Sequence, residues 1–282
     1  MSRFSLRGLS PVRVWFVLGL IFLYAPMVIL IIYSFNSARV VTVWAGFSTK
    51  WYGELFSDNQ LMSAVWVSLR VAFFTACTAV VLGTMAAFVL VRFRPSRWKT
   101  AFSSMVTAPL VMPDVIIGLS LLLLFVAMAN TLGWPQDRGM VTIWIAHVTF
   151  CSAYAAVVIT SRLREMDLSL EEAAMDLGAA PFKTFMTITL PLLTPALAAA
   201  WLLSFTLSID DLVIASFVSG PGATTLPMEV FSSVRMGISP KVNALATLII
   251  LVVSLAAFIS WLLVRRAEKR RSNDLKALKG TA

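Results

Sequence analysis

Residues 162–197 read "RLREMDLSLEEAAMDLGAAPFKTFMTITLPLLTPAL", the least membrane-like stretch in the interior of a chain that is otherwise mostly apolar. Its pattern is locally helical. Ser169 can cap a helix whose first turn carries Glu171 and Glu172, where acidic side chains suit the positive end of the helix macrodipole. Gly178 can stop that helix, and Pro181 suits the first turn of a second one in which Phe182, Phe185 and Ile188 recur at helical spacing. Pro191 and Pro195 mark the return to apolar surroundings. A loop packed on its own helices and an element offered to a partner are both open on these grounds.

The surroundings decide what the loop means. With 59% hydrophobic and 13% charged residues and a mean hydropathy of +0.86, the 282-residue chain lies outside the range of soluble domains. It belongs in a bilayer. A crossing helix needs about 20 apolar residues, and six segments qualify: 14–34, 66–91, 101–128, 141–161, 195–217 and 243–264. The quoted stretch is then a loop, 162–194, between the fourth and fifth spans. The first span follows Arg3, Arg7 and Arg13 as a signal peptide would, but it is long and lacks a small-residue cleavage pattern, which points to an uncleaved anchor. With no strand-period pattern, glycine-rich linker or low-complexity block, the expectation is one all-α integral membrane domain over 1–282. Its charged tail, 265–282, should be frayed or interfacial.

The basic residues set the orientation, since cytoplasmic loops carry the excess. With the N-terminus inside, the inner segments hold 17 of the 23 Lys and Arg, seven of them in the tail. The outer segments hold Arg39, Lys50, Arg138, Arg235 and Lys241, and Arg70 snorkels from the second span. Both termini are expected to be cytoplasmic. The net charge of +9 is thereby used for topology, and no nucleic-acid motif competes. Cys77 and Cys151 lie in apolar runs without metal-ligand spacing, so neither zinc nor a disulfide is expected. The glycine-containing "GPGATTLP" has no lysine to reach a phosphate, no Ser/His/Asp arrangement is apparent, and the one histidine, His147, reads as an interhelical hydrogen-bonder before a proton relay. The chain should have no nucleotide site, cofactor or catalytic residue of its own. Trp44, Phe47, Trp51 and Tyr52, after the first span, read as interfacial anchors, and Gly83, Ala86 and Ala87 as a close-packing surface.

In the quoted loop, Glu172-Ala173-Ala174, then Gly178, then Ile188 and Leu190-Pro191 resemble the conserved loop of binding-protein-dependent ABC importer permeases. The likeness extends through "APLVMPDVIIGLSLLLLF", "HVTFCSAYAAVVITSRLREMD" and "SFTLSIDDLVIASFVSGPGATTLP" to the polyamine branch of that family. The resemblance implies a type I ABC importer permease fold in a bacterial inner membrane. It also implies ATPase subunits docking on the loop, a second homologous permease forming a heterodimer, a periplasmic polyamine-binding protein, and a polyamine, putrescine first, as cargo. Glu172, Ala173, Ala174, Gly178, Leu190 and Pro191 would couple to the ATPase. The residues make that role sensible: alanines let two backbones approach, Glu172 offers a charge, and Gly178 permits a sharp bend.

Three acids carry the candidate path. An aspartate near the bilayer centre costs about 2.5–3.5 kcal/mol, so Asp114, Asp210 and Asp211 should face a bundle interior, a partner or water. At 1.5 Å per residue, Asp114 stands about 20 Å past residue 101 and Asp210 about 21–23 Å past residue 195, at similar depth. Each can instead pair with Arg70, cap a kinked helix or bind nearby backbone. Carboxylates across a narrow path suit a flexible dication with an apolar middle. Adjacent residues of a regular helix point about 100° apart, so Asp210 and Asp211 cannot both face one lumen; one should line the path and the other hold a neighbouring helix. The rivals are the same machinery carrying spermidine or another organic cation, and a proton-coupled secondary transporter using Asp114 or His147.

Overall fold

The structure is a computed structural model that describes residues 11–39, 43–236 and 239–280. Arg3 and Arg7, used above for orientation, lie outside the described residues. In chain order the helices are α1 (Pro11–Ser34), α2 (Lys50–Phe56), α3 (Asn59–Arg92), α4 (Arg97–Thr107), α5 (Asp114–Leu132), α6 (Met140–Glu165), α7 (Ser169–Asp176), α8 (Pro181–Thr184), α9 (Leu190–Ile209), α10 (Val213–Val218), α11 (Leu226–Met236) and α12 (Pro240–Gly280). A 3-10 turn (Ala108–Leu110) follows α4, and a π-turn (Phe185–Thr189) joins α8 to α9. Among the described residues, six helical runs are long and apolar enough to cross a membrane: Val12–Ser34, Asn59–Arg92, Asp114–Leu132, Met140–Glu165, Pro181–Ile209 and Pro240–Ile259.

The third and fifth runs differ most from the sequence expectation, and proline shapes the third and the start of the fifth. The third span was expected to be continuous from residue 101. Instead α4 stops at Thr107, and α5 starts only at Asp114, with Pro113 extended at φ −60° and ψ 138°. Pro113 can neither donate to the carbonyl of Pro109 nor fit its ring against it, so the helix restarts beyond it. The fifth span was expected to begin at residue 195 and run to 217. It starts at Pro181, because the π-turn, closed by the Leu190 N–H on the Phe185 carbonyl, opens the ladder around Pro191 without breaking it. It ends at Ile209, and α10 is a separate element. At the C-terminus α12 continues to Gly280, past the expected end at 264, through residues rich in Ala, Leu, Lys and Arg, which are strong helix formers.

The chain divides into two compact parts. In the part made of residues 59–232, α6 is the central helix: 61% of its apolar window is buried, against 28% for α3. Small residues explain its position. Ala155 and Ala156 meet Gly83 of α3 so closely that a Cβ at Gly83 would stand 2.7 Å from the Ala155 Cβ and 2.8 Å from the Ala156 nitrogen. The core continues through Val71 of α3, Ile117 and Phe125 of α5, Ile143, Ala146 and Cys151 of α6, and Ile214 and Val218 of α10. In the part made of residues 1–58 and 233–282, α12 packs on α1 and α2. Asn36 is its buried hub, accepting the N–H groups of Ala38 and Ala45, and the Trp51 indole N–H donates to its carbonyl at 2.6 Å. Trp51 is therefore an internal residue, and Tyr52 hydrogen-bonds the Ser34 hydroxyl at 2.7 Å; only Trp44 and Phe47 remain exposed as interfacial anchors would be.

Candidate functional site

Two helix breaks create the site, one at Pro113 before α5 and one after Ile209 at the end of α9. With α9 ended at Ile209, Asp210 becomes its C-cap residue and Asp211 falls between α9 and α10. Asp114 is the first residue of α5, where a carboxylate suits the macrodipole. Helices α5 and α10 pack together through Ile117, Ile214 and Phe217. As a result Asp114, Asp210 and Asp211 line one cavity of about 350 Å³, closed on other sides by Pro109, Phe150, Tyr154 and Leu207. The sequence brought the acids level by counting from residues 101 and 195, neither of which starts a helix. The cavity brings them together by a different route, folding two helix ends onto each other.

The three carboxylates are not equivalent. The Asp211 side chain is only 8% exposed and has three donors around it. Its Oδ2 accepts the Ala215 N–H at 2.7 Å and His147 Nε2 at 3.1 Å, and its Oδ1 accepts the Ile214 N–H at 3.3 Å. An ionised carboxylate only accepts, so Nε2 is the donor toward Asp211, and His147 Nδ1 lies at 2.7 Å from the Ser208 hydroxyl. His147 itself is fully buried. The network runs from Ser208 in the last turn of α9 through His147 of α6 to Asp211, which accepts from the first turn of α10. Asp114 and Asp210 are exposed to the cavity and its mouth. Asp210 and Asp211 do not lie in a regular helix, so the 100° rule does not apply to them; they differ in that Asp211 is held by hydrogen bonds and Asp210 is exposed. Arg70 places its guanidinium over the Trp66 ring, 4.8 Å from its centroid, and no ion pair among the described residues joins it to any of the three acids.

The loop is built as two short helices. Ser169 is the first residue of α7 and not its cap; the Asp167 carboxylate accepts the Ser169 N–H at 3.0 Å, and this bond, with the Ser169 hydroxyl, holds the Asp167 carboxyl below the usual range. At its other end Gly178 takes the left-handed conformation at φ +85°. Its N–H bonds the Met175 carbonyl and the Ala179 N–H bonds the Ala174 carbonyl, the paired closure that a glycine makes possible. Glu172, Ala173 and Gly178 are exposed and Ala174 is half-buried, so these lie together at the loop's surface. Leu177, 90% exposed, and Phe182, 71% exposed, add apolar area there. Leu190 and Pro191 lie apart from that surface, in the first turn of α9, where they shape the π-turn. Sequence reasoning missed Glu171, which bonds Arg92 of α3 and Thr189 of the π-turn, and Ser208, the histidine's second partner. Nothing local to Ser208 signals its role.

A model of the family described as "binding-protein-dependent transport system inner membrane component" matches residues 79–273. The chain belongs to this family. The permease is 66% identical over 268 residues, 95% of each chain, to the putrescine transport system permease protein PotI of Escherichia coli K12. It is 41% identical over 255 residues, 90% of this chain and 94% of the other, to the spermidine/putrescine transport system permease protein PotC of the same organism. Its fold is similar to that of a bacterial ABC transporter involved in importing the acidic polysaccharide alginate, with a TM-score of 0.66, 19% identity and coverage of 88% and 90%. The permease is accordingly a multi-pass inner-membrane component of the type I importer fold and not an enzyme. Membership decides against the proton-coupled alternative.

Proposed function

We propose that this permease passes a polyamine, putrescine first, through a path that includes the cavity of Asp114, Asp210 and Asp211. It does so as one membrane subunit of an ATP-driven importer. A second permease, two ATPase subunits and a periplasmic binding protein complete the assembly, because the chain has no phosphate loop and supplies one acidic wall. Both termini lie on the ATPase side.

The observation that carries the cargo reading is the convergence of three carboxylates on a cavity whose other walls are aromatic and aliphatic. Putrescine is a dication with an apolar middle. Asp210 and Asp114 offer charge-assisted hydrogen bonds, the Tyr154 and Phe150 rings offer cation–π faces and van der Waals contact to the methylenes, and Asp211 holds the α9–α10 junction that presents Asp210. ATP-driven closure on the α7 surface tilts the spans and opens the cavity alternately to either side. Similarity to PotC favours spermidine as a second cargo.

The test is uptake of labelled putrescine by the assembled importer in proteoliposomes, with spermidine and an uncharged diol of equal length as competitors. Competition by spermidine and none by the diol supports the reading; equal competition by both would overturn it.

A further inference from the structure

Glu171 precedes the glutamate of the family motif, and the function above makes no use of it. Its carboxylate nevertheless joins three elements. Arg92 Nη2, at the end of α3, donates to Glu171 Oε1 at 2.6 Å, and the Thr189 hydroxyl donates to the same oxygen at 2.8 Å. Thr189 is the last residue of the π-turn that feeds α9. The pair is shielded, with side chains 19% and 16% exposed, and Thr189 is buried, so the bond is not a loose surface ion pair. Arg92 Nε is buried without a partner, which leaves Glu171 as the counter-charge of a guanidinium that water reaches poorly. Beside the clamp, the Phe88 ring of α3 meets the Phe185 ring of the π-turn edge-on at 5.2 Å.

The covalent chain joins α7 to α6 on one side and, through α8 and the π-turn, to α9 on the other. Neither backbone route reaches α3. The Glu171 carboxylate does.

We propose that Glu171 is a positioning residue that makes α3 move with the loop, so that a push on α7 reaches α3 and α9 as one body. The proposal rests on the reading above that an ATPase meets α7. Without the clamp, α7 can shift under the ATPase while the packed helices α3, α6 and α9 lag behind, and ATP is hydrolysed with less cargo moved.

The experiment uses the complete importer in proteoliposomes and measures labelled putrescine moved per ATP hydrolysed, beside recovery of the ATPase subunits. Glu171→Gln is expected to keep ATPase recovery and lower the transport ratio about tenfold, the loss of one shielded charge-assisted bond. Thr189→Val, which removes one donor at constant shape, is expected to lower it about threefold. The reversed pair Arg92→Glu with Glu171→Arg is expected to recover at least half the ratio. An unchanged ratio in Glu171→Gln or Thr189→Val would overturn the proposal, as would ATPase loss in Glu171→Gln, since that makes Glu171 part of the docking contact itself. If the unmodified chain recruits no ATPase, the function reading fails and the clamp's role with it; normal coupling in both proteins refutes the clamp alone.

Discussion

Asp211→Ala should damage the fold more than the path, and the structure gives the size of the effect. The substitution removes a carboxylate that accepts from Ala215, His147 and Ile214 at 2.7, 3.1 and 3.3 Å. The last of these is long and counts for little. The other two leave a buried imidazole N–H and a backbone N–H without acceptors, at about 1–3 kcal/mol each, so Asp211→Ala should cost about 2–6 kcal/mol. Asp211→Asn can set its amide oxygen in the place of Oδ2 and keep both bonds, turning only its NH₂ toward the Ile214 N–H; its cost should be about 1–2 kcal/mol. At roughly 2–4 °C per kcal/mol, Asp211→Ala should lower the thermal midpoint of the purified permease by about 4–24 °C and Asp211→Asn by about 2–8 °C. A double-mutant cycle with His147→Ala should return a coupling of about 1–2 kcal/mol. Equal midpoints for the Ala and Asn variants, or no coupling to His147, would refute the assignment of Asp211 as the residue that holds the junction.

Three further outcomes follow from the same geometry. Asp210→Asn and Asp114→Asn should leave the melting midpoint within about 2 °C and reduce putrescine uptake about tenfold or more, each removing one charge-assisted contact to the dication; unchanged uptake in both counts against the cavity as path. Gly83→Leu should prevent recovery of folded permease, because its Cβ alone would stand 2.7 Å from the Ala155 Cβ, whereas Gly83→Ala should lose about 1–3 kcal/mol. Gly178→Ala meets no neighbouring atom, so its cost of about 1–2 kcal/mol comes from the left-handed backbone at φ +85°; ATPase recovery should fall, and the melting midpoint of the permease alone should drop by about 2–8 °C.

Length and hydropathy made the six crossing runs legible, because a bilayer imposes both on any helix that spans it. What they hid was where helices break. Pro109 and Pro113 were visible as kinks, yet the sequence did not say that α4 would end at Thr107 and α5 restart at Asp114. The pair Pro191 and Pro195 looked equally disruptive, yet Pro191 follows a π-turn and Pro195 lies inside α9 without ending it. The difference lies in the local hydrogen-bond ladder, which residue identity constrains only loosely. Asp114, Asp210 and Asp211 stood out because a carboxylate in an apolar run is costly. Their separate surroundings were not legible, since His147, which bonds Asp211, comes from a position 64 residues earlier in the chain and is itself bonded by Ser208. In the loop, Gly178 was readable as a helix stop from its freedom at positive φ, whereas Glu171 was indistinguishable from Glu172 until Arg92 and Thr189 were seen beside it.

The central claim is that ATP hydrolysed on a partner drives a polyamine through this acid-lined cavity. It is tested most directly by labelled putrescine uptake into proteoliposomes holding the complete importer, measured with and without ATP and with an uncoupler. The account predicts uptake that requires ATP, survives collapse of the proton gradient and is lost in Asp210→Asn. Uptake that proceeds without ATP and stops with the uncoupler would contradict it.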